Sequence, residues 1–296
     1  MNTANPAQQR PARLKVGIIG PGRVGSVLGV ALEQVGHSVV AVSAVSEASR
    51  ARAAQRLPGA HLCEPAEVVE AADLILLTVP DDALAPLANG LAETGAPVAG
   101  RLVAHVSGAH GYSVLAPVTA EGALPLALHP VMTFTGRDED LNRLANCSFG
   151  ITSPEPLRPI AEALVVEMGA EPVWIEEERR GLYHAALAGG ANHLVTLVAE
   201  SAALLGVAGV EHPGRMLGPI LGAALDNALR LGIDGLSGPV LRGDAQTVAD
   251  HIAQLREHSP ESVAGYVALA RLTADRALAA GLLKPQDAER LLDVLA

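Results

Sequence analysis

The run VGIIG leads directly into GPGRVG, which sets Gly20, Gly22 and Gly25 in the order G-x-G-x-x-G. Each glycine answers a need of a bound pyrophosphate: a tight turn at Gly20, close backbone approach at Gly22, and close packing of helix on strand at Gly25. The helix expected next offers unpaired N–H groups and the positive end of its dipole. Gly20, Pro21, Gly22, Arg23, Val24 and Gly25 are therefore candidate dinucleotide-binding residues. A second apolar run, VVAVS, ends at Ser43, where an NAD enzyme presents a carboxylate to the ribose 2′-hydroxyl. No acid stands there. The segment SAVSEASRAR instead offers Ser43, Ser46, Arg50 and Arg52, which suit a 2′-phosphate, so the expected cofactor is NADP(H). The competing account is that Ser46 only caps a helix and the arginines are solvated.

Other polar residues stand where apolar runs end. Val79 and Pro80 close the run LILLTVP and are candidates to line the cofactor, whereas Asp81 and Asp82 are read first as acids at a helix start. Ser107 and Gly108 follow His105 at a strand end, where ligands bind in open parallel sheets. A serine there can hydrogen-bond a substrate or cofactor oxygen, and a glycine admits a ring closely. His129 ends the next run. His184, with Tyr183 beside it, lies in the carboxyl half, and a histidine titrates near neutrality, as a proton donor in a reduction should. For each histidine the competing role is a structural hydrogen bond to a loop. The ten histidines form neither H-x-x-x-H nor H-E-x-x-H, so no metal site is expected.

These residues need a scaffold that brings strand ends together. From Leu14 to Ile175 short apolar runs alternate with amphipathic stretches, the pattern of a mostly parallel sheet covered by helices. Strands are expected near 14–20, 38–43, 73–79, 101–105, 124–129, 147–152 and 172–175, with helices near 22–35, 47–57 and 154–168. After Glu176 the apolar residues recur at helical spacing. The expected organisation is a disordered tail at 1–13, an α/β Rossmann dinucleotide-binding domain at 14–175 and an all-helical domain at 176–296. A chain of 296 residues holds two such domains.

Composition narrows the partners. A net charge of -11 repels phosphate backbones and an aromatic content of 2% leaves few stacking platforms, which argues against nucleic acid. The start, MNTANPAQQRPAR, lacks the apolar core of a secretory signal, and polar residues or glycine and proline interrupt the long apolar stretches, so a cytoplasmic protein without a membrane partner is expected. Cys63 and Cys147 match no zinc spacing and are expected as free thiols. Helices after Glu176 crowd Leu194, Val195, Leu197, Val198, Leu204, Leu205 and Val207 onto more than one face, which predicts a homodimer.

The glycine loop, LILLTVPDDAL, HVSG, LHPVMTF, YHAALAGGANHL and LSGPVLRGDAQTVADHI together resemble, across nearly the whole chain, the bacterial family of Rossmann-like proteins that carry the domain of unknown function 2520. The carboxyl half is also similar to the helical domains of pyrroline-5-carboxylate reductase, ketopantoate reductase and 6-phosphogluconate dehydrogenase. The resemblance implies a helical dimerisation domain and a nicotinamide-dependent reduction of C=O or C=N. The expected function is an NADPH-dependent reductase of a small carboxylated keto acid, most like ketopantoate, with an imine reductase and a non-catalytic dinucleotide sensor as alternatives.

In ketopantoate reductases a lysine and, four residues on, an asparagine serve catalysis. Asn192 matches the asparagine and is a candidate to orient the substrate, but Ala188 stands at the lysine position, and Lys15 and Lys284 lie elsewhere. On a helix, positions 184, 188 and 192 share a face, which makes His184 the candidate acid. The pair His129-Pro130 resembles the histidine–proline step of prephenate dehydrogenases, so His129 is a rival acid and a substrate contact. By similarity to pyrroline-5-carboxylate reductases, Arg242 ahead of a helix start is the candidate partner of the substrate carboxylate.

Overall fold

The computed structural model describes residues 13–296. The tail expected at 1–13 falls outside them except for Arg13. Eight strands form one sheet: β1 (Lys15–Ile19), β2 (Ser38–Ser43), β3 (His61–Leu62), β4 (Leu74–Leu77), β5 (Leu102–His105), β6 (Leu124–Pro130), β7 (Ser148–Thr152) and β8 (Glu171–Trp174). Their order is β3-β2-β1-β4-β5-β6-β7-β8, and the first six run parallel. Strand β7 turns antiparallel to β6, pairing His129 with Gly150, and β8 returns parallel to β7. The chain leaves β1 in one direction across the sheet and β4 in the other, so the crevice at their carboxyl ends is the switch point where ligands bind in such sheets.

Two faces are covered. Helices α1 (Arg23–Gln34) and α2 (Glu47–Arg56) pack on one face. Helices α3 (Pro65–Ala71), α4 (Asp81–Glu93) and α5 (Ala116–Ala120) cover the other, through Val68, Val69, Leu84, Leu91 and Val118. Helices α6 (Glu139–Leu144) and α7 (Arg158–Glu167) complete the first face, burying Leu144, Leu164 and Val165 around Phe149. Strands buried on both faces need unbroken apolar runs, which LILL in β4 supplies.

Strand β3 and helices α3, α4, α5 and α6 were not among the expected elements; β3, α3, α5 and α6, at two to seven residues, are too short for periodicity to register, and Pro86 and Gly90 interrupt the pattern of α4, of which only the acidic start at Asp81 and Asp82 was read. The helix expected over 154–168 opens as a 3₁₀ turn at Glu155–Leu157, and Pro159 stands in the first turn of α7, where a missing N–H costs nothing.

The chain divides into two compact units, Met1–Ala188 and Gly189–Ala296. The division falls inside the long helix α8 (Arg180–Val207), which α9 (Pro213–Leu231), α10 (Ala245–His258), α11 (Ser262–Ala279) and α12 (Pro285–Val294) follow. The second unit has a small core of its own, built on Val248, Ile252, Ala274, Leu283 and Leu291. Helix α9 buries none of its residues, and Leu194, Val195, Leu197, Met216, Ile220, Leu225 and Leu229 are exposed. Among the described residues one helical stretch, Glu177–Val207, is long and apolar enough to cross a membrane. Cys63 and Cys147 are both free thiols, and burial pushes the Cys147 thiol up to about 11, which leaves it unreactive.

Candidate active site

The glycine loop is held by its neighbours. Gly20 has φ +92°, a conformation that a side chain strains, and its N–H donates to the Ser43 carbonyl at 2.9 Å. The Thr78 hydroxyl, from the end of β4, donates to the Gly20 carbonyl at 2.6 Å and ties the two strands that border the switch point. A Cβ on Gly25 would run into that same hydroxyl, so α1 can seat this close only on a glycine. Gly22 is different: a Cβ there would find nothing nearer than 3.8 Å, so the space above it is open. Gly22 is also the N-cap of α1, it has no capping side chain, and the first turn holds no acid. Open space beside free N–H groups at a helix start, with no anion built in, is the chemistry that receives a pyrophosphate. Pro21 is buried, Val24 half-buried and Arg23 exposed; Val79 and Pro80 follow β4, and a Cβ on Gly20 would lie 3.1 Å from Val79 Cγ1.

At the end of β2 the serines are already engaged. Ser43 is buried, and Ser46 caps α2 by accepting from Ser49 N–H at 3.2 Å. The Arg50 Nε donates to the Ala44 carbonyl at 3.0 Å, which anchors an exposed guanidinium just beyond the strand. An open cleft of about 410 Å³ lies alongside, lined by Arg52, Arg56, Arg137 and Asp138. The Arg56 Nη1 donates to the Gly136 carbonyl at 3.1 Å, and a Cβ on Gly136 would lie 3.2 Å from Arg23 Cγ, so the loop after β6 borders the same cationic ground as the start of α1.

Further along the sheet, the ends of β5, β6 and β7 meet the first turns of α8. A Cβ on Gly108 would lie 2.7 Å from His184 Cδ2 and 2.9 Å from His129 Nε2, so three candidates distant in sequence converge on one point. The two imidazoles stand edge to face with centroids 6.1 Å apart. The Ser107 hydroxyl oxygen accepts from the N–H groups of Ala109 and His110, both at 3.2 Å, and pins the turn that presents Gly108. His105 is fully buried and structural: its Nδ1 accepts from Ser107 N–H and its Nε2 bonds to the Gly111 carbonyl at 2.9 Å. Burial holds its pKa down at about 4.

His129 is mostly buried, and its pKa is likewise lowered to about 4, first by burial and then by the positive charge of Arg180. Its Nδ1 lies 2.8 Å from Tyr183 Oη. The phenol is seated over Gly150, where a Cβ would collide with it, and its pKa is raised by burial. Arg180, 1% exposed, donates from Nε to Thr152 Oγ1 at 2.8 Å and from Nη2 to the carbonyls of Gly150 at 2.9 Å and Ala127 at 3.2 Å. Among the described residues no carboxylate lies within ion-pair distance of it, and burial brings its pKa down to about 10.

Sequence reasoning passed over Arg180 and the partnership of Tyr183 with His129. Arg180 ends the run EEERR, which looks like a solvated charge cluster, and no local pattern marks the strand carbonyls it meets. Asp81 and Asp82 stand in the first turn of α4, as a helix dipole favours. Asn192 and Arg242 belong to the second unit, both exposed, and Asp244 caps α10 by accepting from Thr247 N–H. Among the described residues no group of three His, Cys, Asp or Glu side chains is placed to hold a metal.

Residues 1–130 match the Rossmann-like domain family, and residues 147–273 match the family described as a domain of unknown function, DUF2520. The chain joins a Rossmann-like domain to a DUF2520 domain. No curated protein sequence is similar to it. Solved structures with its fold include a Bacteroides fragilis protein assigned as an NADP oxidoreductase, 22% identical with a TM-score of 0.73, covering 89% of this chain and 98% of that one. A reductive aminase from Aspergillus terreus, in complex with NADPH and ethyl levulinate, is 19% identical with a TM-score of 0.67, covering 95% and 99%. A pyrroline carboxylate reductase of Plasmodium falciparum with NADP bound is 13% identical with a TM-score of 0.56, covering 90% and 97%. At these identities the likeness is one of fold: this Rossmann-like DUF2520 chain shares the arrangement of an α/β sheet followed by helices.

Proposed function

We infer that this protein is an NADPH-dependent reductase of a small carboxylated carbonyl compound, with a keto acid like ketopantoate as the substrate class. The pyrophosphate fits the open ground above Gly22 at the start of α1, and the Arg50 guanidinium, with Arg52 and Arg23 nearby, suits the 2′-phosphate. When bound, the reduced nicotinamide supplies a hydride to the substrate carbon. The chain's own task is then to hold the carbonyl and protonate its oxygen. His129 and His184 flank Gly108 for that purpose, and the bond to Tyr183 favours His129 as the donor.

The observation that carries the choice of C=O is Arg180. A buried guanidinium without a carboxylate, close enough to lower the His129 pKa, sets a positive field at the strand ends. Such a field stabilises the negative oxygen that develops as a carbonyl is reduced and opposes an iminium cation. The imine reductase reading is favoured by the shared fold of the Aspergillus terreus and Plasmodium falciparum enzymes. The deciding experiment follows NADPH oxidation over a panel of 2-keto acids and cyclic imines. Turnover of keto acids, reduced about 10²–10⁴-fold in His129→Ala and less in His184→Ala, supports the reading. Turnover of imines alone overturns the choice of substrate, and tight NADPH binding with no turnover on any member favours a sensor.

By residue type, Arg242 is assigned to the substrate carboxylate and Asn192 to orienting the substrate or the nicotinamide amide. The exposed apolar residues of α8 and α9 are assigned to a second copy of the chain, since a bilayer would have to accept Asn192, His193 and Glu200 near the middle of the span. A monomer by light scattering at micromolar concentration refutes the self-association.

A further inference from the structure

We propose that Tyr183 and His129 form a proton relay, in which the phenol resupplies the imidazole that protonates the substrate oxygen, and that Arg180 is a positioning cation for the phenolate this creates. The proposal rests on the reductase reading above. Three observations meet in it. His129 has one ring nitrogen on the Tyr183 hydroxyl at 2.8 Å and the other directed at the position of Gly108. The Tyr183 hydroxyl carries a single proton and faces Nδ1, so it can donate the bond the two share. The Arg180 guanidinium carbon stands 5.6 Å from the Tyr183 ring centroid, and among the described residues no carboxylate lies within ion-pair distance of it, Glu177 being the acid whose charge reaches it.

The relay requires one tautomer. With Nδ1 accepting from Tyr183, the ring proton sits on Nε2, on the side of Gly108 and His184. A neutral imidazole is a poor acid by itself, because losing the Nε2 proton would leave an imidazolate. Coupling removes that obstacle. The carbonyl carbon gains the hydride, and the π electron pair of the C=O bond moves to oxygen. That oxygen takes the proton from Nε2, the N–H electron pair stays on the ring, and Nδ1 takes the Tyr183 proton. The alcohol then carries both new hydrogens, His129 is neutral with its proton on Nδ1, and the negative charge rests on Tyr183 Oη beside Arg180. A solvent proton entering at Nε2, while Nδ1 returns its proton to the phenolate, restores the starting state.

A buried cation with no carboxylate at ion-pair distance is costly to keep. The relay accounts for it, because the counter-ion appears during turnover. The charged and titratable groups facing His129 are Arg180, Tyr183 and His184 from α8 and Asp81 from α4. Those facing Tyr183 are Arg180, His129 and Cys147. None is a carboxylate in contact with the phenol.

The test uses the full chain with NADPH bound and the substitution Tyr183→Phe, which keeps the ring over Gly150 and removes only the hydroxyl. Nitrogen NMR of the histidine rings reports the tautomer without any substrate. The expected result is a neutral His129 protonated on Nε2 in the parent, with the preference lost in the variant. Stopped-flow NADPH oxidation with ketopantoate and other 2-keto acids gives the second readout. The parent rate should vary little between about pH 6 and about pH 8. The variant should lose at least about 10²-fold at the upper end and regain about tenfold per pH unit on acidification, because only an imidazolium can then donate. NADPH Kd should be unchanged. An Nδ1–H or charged His129 at neutral pH overturns the relay whether or not a substrate is reduced. A variant with a pH-independent loss, or with none, overturns it too, since a purely structural hydroxyl would act that way. The expected tautomer without turnover on any keto acid refutes the keto-acid reading, and the relay with it.

Discussion

Gly108→Ala tests the convergence at the strand ends most directly. The new Cβ would sit 2.7 Å from His184 Cδ2 and 2.9 Å from two atoms of the His129 ring, whereas carbon atoms in contact prefer about 3.5–4.0 Å. Both rings must withdraw by roughly 1 Å. His184 is half-buried and has room to turn, but His129 is held by Tyr183 at 2.8 Å, so its retreat stretches that bond. Overpacking of this kind costs about 1–3 kcal/mol, and a weakened hydrogen bond adds about 1 kcal/mol, giving an expected destabilisation of about 2–4 kcal/mol. A misplacement near 1 Å at a reacting group lowers turnover by about 10²-fold. The glycine loop at 20–25 is untouched, so NADPH affinity should stay within a factor of about two. The assays are urea unfolding, NADPH titration by fluorescence, and NADPH oxidation on whichever keto acid the parent reduces. Adding His184→Ala removes the shorter contact and should return part of the lost stability without restoring turnover. A Gly108→Ala protein with parental stability and turnover would show that the two imidazoles do not crowd this point, and the site as described would be wrong.

Three further outcomes are expected. Arg50→Glu should weaken NADPH by at least about tenfold while sparing NADH, since a charge-assisted hydrogen bond contributes about 1.5–3 kcal/mol; equal affinity for the two cofactors in the parent refutes the assignment. Folded-state pKa values of about 4 for His105 and His129 lie below the ordinary 6.5, so the unfolded chain binds more protons between those limits and stability must fall as pH drops through them. Each histidine contributes a slope of up to about 1.4 kcal/mol per pH unit in urea unfolding, and His129→Gln should remove one share. Arg242→Ala should raise KM for a keto acid more than it lowers kcat; a fall in kcat alone would place Arg242 at the chemistry instead.

The alternation of apolar runs and amphipathic stretches carried the α/β sheet, because strands buried on both faces cannot be written without runs such as LILL. The glycine loop was equally legible, since its glycines stand at the spacing that the turn at Gly20 and the close seat of α1 at Gly25 require. The arrangement at the strand ends was not. Ala188, where the resemblance leads one to expect a lysine, left His184 and His129 as rival candidates, for sequence spacing relates residues only along one helix. What sets His129 apart is the reversal of β7: running antiparallel, it brings Gly150 opposite His129, and a residue without a side chain there lets Tyr183 reach the imidazole. The same reversal lets the Gly150 and Ala127 carbonyls converge on Arg180. Strand direction and cross-strand register are long-range properties, and nothing in the spacing of Arg180, Tyr183 and His129 encodes them. A helix start that looked like surface charge therefore carries a buried cation at the strand ends, and the proposed preference for a carbonyl over an imine rests on it, because a field that favours oxygen anions suits a carbonyl.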